Sequence, residues 1–290
     1  MPKLVWLNGT ITPLEEAVVS VQDHAHLYGD GLFEGIRIYN RRVFKLDEHL
    51  RRLYDGIAYL GFEMEMTLSE MRTAVLETCR QAEIADGYIR LNVTRGTGLG
   101  LDPKNINRRP NVMIMVSSLA LYPPEAYETG LKVVTTSFRV IPPDCLDPRL
   151  KTIGRYVANI LAKQEANRQG AGEGLMLNYQ GQVAECTGDN IFLVKGKTIR
   201  TPHPSCGILE GITRNTVIEL ARANGFTVIE DYITPFDLYA CDEIFLTGTA
   251  AEVIGMVMLD GRPIGCGKPG PVTQELTRLF REHTQTGAEF

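Results

Sequence analysis

The sequence predicts a mixed α/β (α+β) chain of two domains, without the regular βαβ alternation of a doubly wound fold. Three observations predict it. Short apolar or alternating runs such as GYIRLNVTRG and PNVMIMVSS have the period of strands, while LSEMRTAVLETCRQAE and VANILAKQEA have the period of helices. The rhythm breaks at LALYPPEAYETG, where Pro123 and Pro124 stand together. A length of 290 residues with 44% hydrophobic side chains suits two domains with sizeable cores. The division expected is a smaller N-terminal domain over 1–118, a linker over 119–128, and a larger C-terminal domain over 129–290 that carries Lys151.

KLVWLNGTITP reads as two strands joined by an Asn-Gly turn, and EGIRIYNRRVFKL repeats the hairpin pattern. Asp47 is expected to cap a helix with His49, Leu50, Leu53, Ile57 and Leu60 on one face, and Ser69 to cap the next. After the prolines, GLKVVTTSFRVI opens the second domain as a strand. A helix is expected from Ile153, with Val157, Ile160 and Leu161 at helical spacing and Ala158, Ala162 and Ala166 as a small-residue stripe. The strands of GLMLNYQGQVAEC and NIFLVKGKTIRTP follow. ILEGITRNTVIELARANG is a loop entering a helix at Thr213, DEIFLTGTAAEV a strand running into a turn, and PGPVTQELTRLFREH a closing helix.

Composition excludes several classes. A net charge of −5 with dispersed basic residues gives no nucleic-acid surface. No apolar run is long enough to span a bilayer, and MPKLVWLNGT lacks the layout of a signal peptide. The six cysteines are far apart and form no CxxC pair, so reduced thiols and a cytoplasmic location are expected. His24 and His26 form an isolated pair without HExxH context, which speaks against a metal. There is no Walker loop and no nucleophile elbow.

The candidate chemistry is spread along the chain, and each piece has an ordinary reading beside it. Lys151, among Leu150, Ile153 and Tyr156, is a solvated helix-entry charge or a reactive amine in a partly dry place. The Tyr156 phenol, five residues on, reaches a group attached to that lysine or belongs to the core. Glu185, at a strand end before a Gly-containing turn, is a turn glutamate or the partner of a protonated ring nitrogen. The backbone N–H groups of Ile212 and Thr213, approached by Gly207 and Gly211, form a plain helix start or an anion site. Thr247, Gly248 and Thr249 form a turn or a nest for a phosphate or carboxylate. Arg51 and Arg52 face water or bind phosphate. A lysine, a phenol, a carboxylate, two anion turns and an arginine are together the parts needed to hold pyridoxal phosphate.

In that order, the segments HLYGDGLFEGIRIY, FKLDEHLRRLYD, YIRLNVTRGTGLGLDP, LKTIGRYVANILAKQEA, GQVAECTGDNIFLV, ILEGITRNTVIELA and FLTGTAAEV resemble the fold-type IV pyridoxal-phosphate enzymes, and within them the branched-chain amino-acid aminotransferases. The likeness runs from about Trp6 to Phe280. It implies the two-domain, D-amino-acid aminotransferase-like architecture and transfer of the amino group of leucine, isoleucine or valine to 2-oxoglutarate. By the resemblance, Lys151 is the Schiff-base lysine and proton carrier, Glu185 the partner of the pyridine nitrogen, and Tyr156 the tyrosine on the phenolic oxygen. Arg52, Ile212, Thr213 and Thr249 match the phosphate site, with Leu209 against the ring. Thr249 and Ala250 match the turn for the substrate carboxylate, and Tyr28, Phe33, Gly35, Arg37 and Arg90 the side-chain pocket. Leu101 would reach that pocket from a second subunit, so a homodimer or higher homo-oligomer is implied, with amino acids and 2-oxo acids as small-molecule partners.

Three positions depart from the family pattern: Arg155 where asparagine is frequent, Glu210 where proline is common, and Cys186 where glycine is usual. They bear on substrate range. The rivals of the same fold are a D-amino-acid aminotransferase, an R-selective amine transaminase and an aminodeoxychorismate lyase. The first carries an Arg-x-His trap after VTRGT, where this chain continues GLGLDP. A catalytically silent binding protein is the rival from another class, and Lys151 with Glu185 counts against it.

Overall fold

A computed structural model describes residues 3–107, 109–119 and 121–290. Its contacts divide the chain into two units. The first comprises Met1–Leu119, Leu150–Arg155 and Thr284–Phe290, and the second Ala120–Arg149 and Tyr156–His283. The short segment holding Lys151 therefore packs with the first unit, whereas the sequence reading put the lysine in the C-terminal domain. The reason is pairing: Phe33 N–H donates to Lys151 C=O at 3.0 Å and Ile153 N–H to Gly31 C=O at 2.8 Å, with Leu32 opposite Thr152.

The first unit has strands β1 (Leu4–Leu7), β2 (Thr10–Pro13), β3 (Gly31–Tyr39), β4 (Arg42–Val43), β5 (Gly87–Thr94) and β6 (Val112–Ser117), and helices α1 (His24–Tyr28), α2 (Leu46–Leu60) and α3 (Leu68–Ala82). The C-terminal Ala288–Glu289 edges the sheet, followed by β4, β3, β5, β6, β1 and β2, all antiparallel. Alternation along β3 and β5 gives the sheet two characters. Leu32, Ile36 and Ile38 with Ile89, Leu91 and Val93 are buried in one core with Leu50, Leu53 and Ile57 of α2 and Met71, Val75 and Cys79 of α3. Each fully buried aliphatic side chain there contributes about 1.5–3 kcal/mol. The β3–β4 hairpin turns on Asn40 and Arg41, both at positive φ (46° and 58°), as a tight two-residue connection requires.

The second unit has strands β7 (Leu131–Arg139), β8 (Glu173–Leu177), β9 (Val183–Cys186), β10 (Asn190–Lys195), β11 (Thr198–Pro202), β12 (Thr227–Asp231), β13 (Glu243–Gly248), β14 (Glu252–Leu259) and β15 (Arg262–Pro263), and helices α4 (Pro124–Thr129), α5 (Tyr156–Arg168), α6 (Ile212–Ala223), α7 (Pro235–Tyr239) and α8 (Pro271–His283). The sheet order is β12-β11-β10-β13-β14-β7-β8-β9, with β15 on β14. It is mixed: β11/β12, β14/β7 and β7/β8 run parallel. Leu175, Val183, Ile191, Ile244, Leu246, Ile254 and Met256 share its core.

Several expected boundaries shift for local reasons. Thr67, not Ser69, caps α3, in a capping box with Glu70. Lys45 precedes α2, and Asp47 lies inside its first turn. Pro124 starts α4, where its missing N–H costs nothing, so part of the expected linker is helical. Helix α5 begins at Tyr156 rather than Ile153, because residues 151–153 pair with β3. Its alanine stripe is the packed face, with Ala162 and Ala166 buried, while Val157 and Ile160 are 60% and 66% exposed.

Candidate active site

In the first unit, Phe33, Gly35 and Arg37 alternate along β3 and so project from one sheet face. Opposite them on β5 stand Asn92, Arg90 and Tyr88. The Arg90 guanidinium carbon lies 3.6 Å from the centre of the Phe33 ring, and Lys151 Nζ lies 4.7 Å from the same centre. Two cations thus share one aromatic ring. Arg90 Nε donates to Asn92 Oδ1 at 2.8 Å, and Arg37 Nη1 to the Leu119 carbonyl at 3.3 Å. Gly35 has a plain steric reason: a Cβ there would meet the Tyr88 hydroxyl at 2.0 Å. The expected pocket residues Phe33, Gly35, Arg37 and Arg90 are therefore brought together with Lys151 close by.

Arg52 projects from α2 onto Glu34, which sits on the core face of β3. Its Nε and Nη2 donate to the two oxygens of Glu34 at 2.8 and 2.7 Å. His49 Nδ1 lies 2.7 Å from Glu34 Oε2, and both His49 and Glu34 are buried. Burial by itself raises the Glu34 carboxyl, but Arg52 and His49 outweigh it and hold the group well below the usual carboxylate range. Burial lowers the His49 imidazole despite the pull of Glu34. The result is a buried carboxylate that fixes the plane of the Arg52 fork. Sequence reasoning missed Glu34, although it is the one charged residue among Leu32, Ile36 and Ile38 on a strand face that is otherwise apolar.

Tyr28 and Leu101 are both exposed, at 46% and 77%. They are linked through the chain, since Gly100 N–H donates to the Tyr28 hydroxyl at 3.2 Å.

In the second unit, Glu185 is a buried residue of β9. Its Oε2 accepts the Leu209 N–H at 2.8 Å, and Asn190 Nδ2 donates to the Leu209 carbonyl at 2.9 Å. Both polar backbone groups of Leu209 are thus fixed ahead of α6. That helix starts at Ile212, with Gly211 as its cap residue and no side-chain cap. Thr213 lies within the first turn rather than at the cap. A Cβ on Gly211 would stand 2.3 Å from Asn190 Oδ1. The first N–H groups of α6 and the helix dipole make this an anion-receptive end. The turn after β13 carries Thr249 and Ala250, both half-buried. Among the described residues, the buried Thr247 Oγ1 just before it has no hydrogen-bond partner. Tyr156 is the first residue of α5. Of the departing residues, Arg155 and Cys186 are buried. Burial, aided by Glu173, Asp189 and Glu185, pushes the Cys186 thiol well up, so it is inert packing beside the carboxylate.

Residues 31–257 match the family model of amino-transferase class IV. The chain belongs to this family. It is 44% identical over 279 residues to a Methanocaldococcus jannaschii protein provisionally named a branched-chain-amino-acid aminotransferase, covering 96% of this chain and 95% of that one. Among solved structures, the Escherichia coli branched-chain amino acid aminotransferase superposes with a TM-score of 0.94 at 32% identity, covering 97% and 94% of the two chains. The T.th. branched-chain amino acid aminotransferase, complexed with N-(5'-phosphopyridoxyl)-L-glutamate, gives 0.92 at 37% identity, covering 98% and 95%.

Proposed function

We propose that this chain transfers the amino group of branched-chain L-amino acids to 2-oxoglutarate, with pyridoxal 5'-phosphate as cofactor. The observation that carries the reading is Glu185, a buried carboxylate anchored on the Leu209 N–H. A buried carboxylate held on a backbone donor can pair with a protonated ring nitrogen and favour its charged form. The phosphate end finds matching chemistry too. The uncapped start of α6 and the orphaned Thr247 hydroxyl both suit a phosphate. The L-glutamate adduct of the T.th. enzyme supports a glutamate/2-oxoglutarate pair as second substrate.

When bound, the cofactor supplies an aldehyde that takes up the amino group and a ring that accepts the electron pair left by the α-proton. The chain supplies the rest. Lys151 takes the α-proton at Nζ and returns it. Glu185 keeps the ring nitrogen protonated, and Tyr156 donates to the phenolic oxygen. Arg52, the N–H groups of Ile212 and Thr213, and the Thr249 hydroxyl hold the phosphate, while Leu209 packs on the ring. Thr249 and Ala250 receive the substrate carboxylate. Phe33 and Gly35 accept the apolar side chain, together with Tyr28 from the second copy beside its Leu101 loop, and Arg37 or Arg90 meets the second carboxylate of glutamate.

Leu101 comes from a second copy in a homodimer or a multiple of one. Exposed apolar side chains at Val18, Val21, Leu99 and Leu101 of the first unit and Val157 and Ile160 of the second support that assembly. A cytoplasmic location agrees with six free cysteines, and residues 119–128 serve as the interdomain connection.

The test is the visible absorbance of the purified protein with cofactor. L-Leucine should bleach the band, and 2-oxoglutarate should restore it. Bleaching by D-alanine or an R-amine alone would refute the substrate assignment, and no band at all would refute the cofactor.

A further inference from the structure

The proposed chemistry leaves His24 without a role, yet it is one of the most firmly held polar side chains of the first unit. It is 3% exposed. Its Nδ1 lies 2.7 Å from Asp30 Oδ2, and its Nε2 lies 2.9 Å from the Gly100 carbonyl. Asp30 is itself gripped by Arg95, through Nε at 2.5 Å and Nη2 at 3.1 Å. The ring also lies against Tyr28, with centroids 4.7 Å apart, and the Tyr28 hydroxyl accepts the Gly100 N–H. Both the N–H and the C=O of Gly100 are therefore held by side chains of α1, at a residue whose φ is +85°.

The rest of the loop is tied to the same region. Gly98 N–H donates to Gln22 C=O at 3.1 Å, and His24 N–H to Gly96 C=O at 2.8 Å. What this binding presents is two leucines in solvent: Leu99 is 63% exposed and Leu101 77%. Ordering a loop costs about 1–2 kcal/mol per residue, and exposing leucine gives nothing back. A loop fixed so thoroughly, with its apolar side chains outward, is shaped for something that those side chains touch.

We infer that His24 is a positioning residue for substrate selection: with Tyr28 it clamps Gly100 so that Leu101 stands at a fixed height over the pocket of the partner copy. The inference rests on the functional reading above, in which Leu101 closes that pocket. It makes two statements that can be separated. His24 holds the loop, and the held loop acts on the other subunit.

The experiment uses the full-length holoenzyme with His24→Ala and His24→Gln. Hydrogen exchange of the amides in 97–101 reads the clamp without reference to any substrate. It should speed up in H24A and be partly restored in H24Q, whose amide can still donate to the Gly100 carbonyl. For L-leucine, losing one such hydrogen bond should raise KM about ten-fold in H24A. The kcat and the visible band of bound cofactor should stay near wild type. Co-expression of H24A with K151A then gives mixed dimers whose one competent site pairs an intact Lys151 with an intact loop from the other chain. Its KM should return to the wild-type value.

Unchanged exchange and unchanged KM in H24A would overturn the inference. So would a joint loss of kcat and cofactor, which would mark a purely structural histidine. Mixed dimers that keep the raised KM would overturn action across subunits. A wild-type enzyme that ignores L-leucine would sink the functional reading instead, and exchange in the 97–101 amides would still decide the clamp.

Discussion

Consider Glu34→Gln. The substitution keeps the shape of a side chain with no exposure and removes its charge. In the native protein its two oxygens accept from Arg52 Nε, Arg52 Nη2 and the side of His49 that carries Nδ1. An amide offers one oxygen and one NH2, so at least one of these N–H groups would face another donor. Removing one partner of a buried ion pair costs about 3–5 kcal/mol. The Arg52 side chain keeps 14% exposure, which lets water answer part of the loss and favours the lower end, about 3 kcal/mol. For a protein of this size that lowers Tm by roughly 5 °C.

The pH dependence has a definite sign. The folded carboxyl lies below its ordinary value, so its stabilisation is complete above about pH 4.3 and is lost as acid is added below that. His49 is also lowered when folded, so its contribution likewise falls away as pH drops from about 6.5. Below about pH 4.3 wild type should therefore lose stability on acidification more steeply than Glu34→Gln, which has no carboxyl there to protonate. Thermal unfolding by circular dichroism at pH 7.5 and pH 3.5 reads both effects, and fluorimetric titration with pyridoxal phosphate reads whether Arg52 still holds its fork. A variant that melts within about 2 °C of wild type, with unchanged cofactor affinity, would refute the account of Glu34 as the fixture of Arg52.

Four further outcomes are expected. Glu185→Gln preserves an acceptor for the Leu209 N–H but loses the charge, and steady-state assays should show kcat down by about 10²-fold or more with folding intact. Gly35→Ala must displace the Tyr88 ring, costing about 1–3 kcal/mol in denaturant titration and raising KM for leucine; an unperturbed enzyme would contradict the close approach. Arg37→Ala should raise KM for glutamate about ten-fold while that for leucine changes little, and equal effects on both would remove Arg37 from carboxylate recognition. Burial pushes the Cys79 and Cys241 thiols up to about 12. At pH 8, a colorimetric thiol reagent should therefore react promptly with exposed Cys145 and Cys266 and reach buried Cys79, Cys186 and Cys206 only on unfolding.

The parts of the fold that were legible in the sequence are those whose signal is local. The Asn8–Gly9 turn, the β3–β4 hairpin and helices α2, α3 and α8 all follow from turn chemistry and apolar period. What escaped was decided by partners far along the chain. Residues 151–153 have helical neighbours, yet they pair with β3 and stay extended. Val157, Ile160 and Leu161 have the spacing of a buried face, but the alanine stripe of α5 packs more closely and takes that place. At the site, Phe33, Gly35 and Arg37 could be placed on one face because strands alternate. Glu34 needed the reverse question, which is why a charge occupies a core position. The His24 clamp on Gly100 joins residues 76 positions apart, and no short motif encodes it.

The assignment of Leu150–Arg155 and Thr284–Phe290 to the first unit has a consequence for the order of synthesis. A nascent chain that has emerged as far as Leu119 has made β1 to β6 but lacks the Lys151 segment that bridges to the start of β3. It also lacks Ala288–Glu289, which pairs with β4. Domains made early usually fold while the rest is being translated. Here a unit begun early is completed late, since its sheet edge waits for Ala288–Glu289 to leave the ribosome. Until then β4 has an open edge, and the backbone donors and acceptors at Gly31 and Phe33 await the Lys151 segment. A fragment ending at residue 119 should accordingly accumulate as an aggregation-prone intermediate rather than as an independent domain.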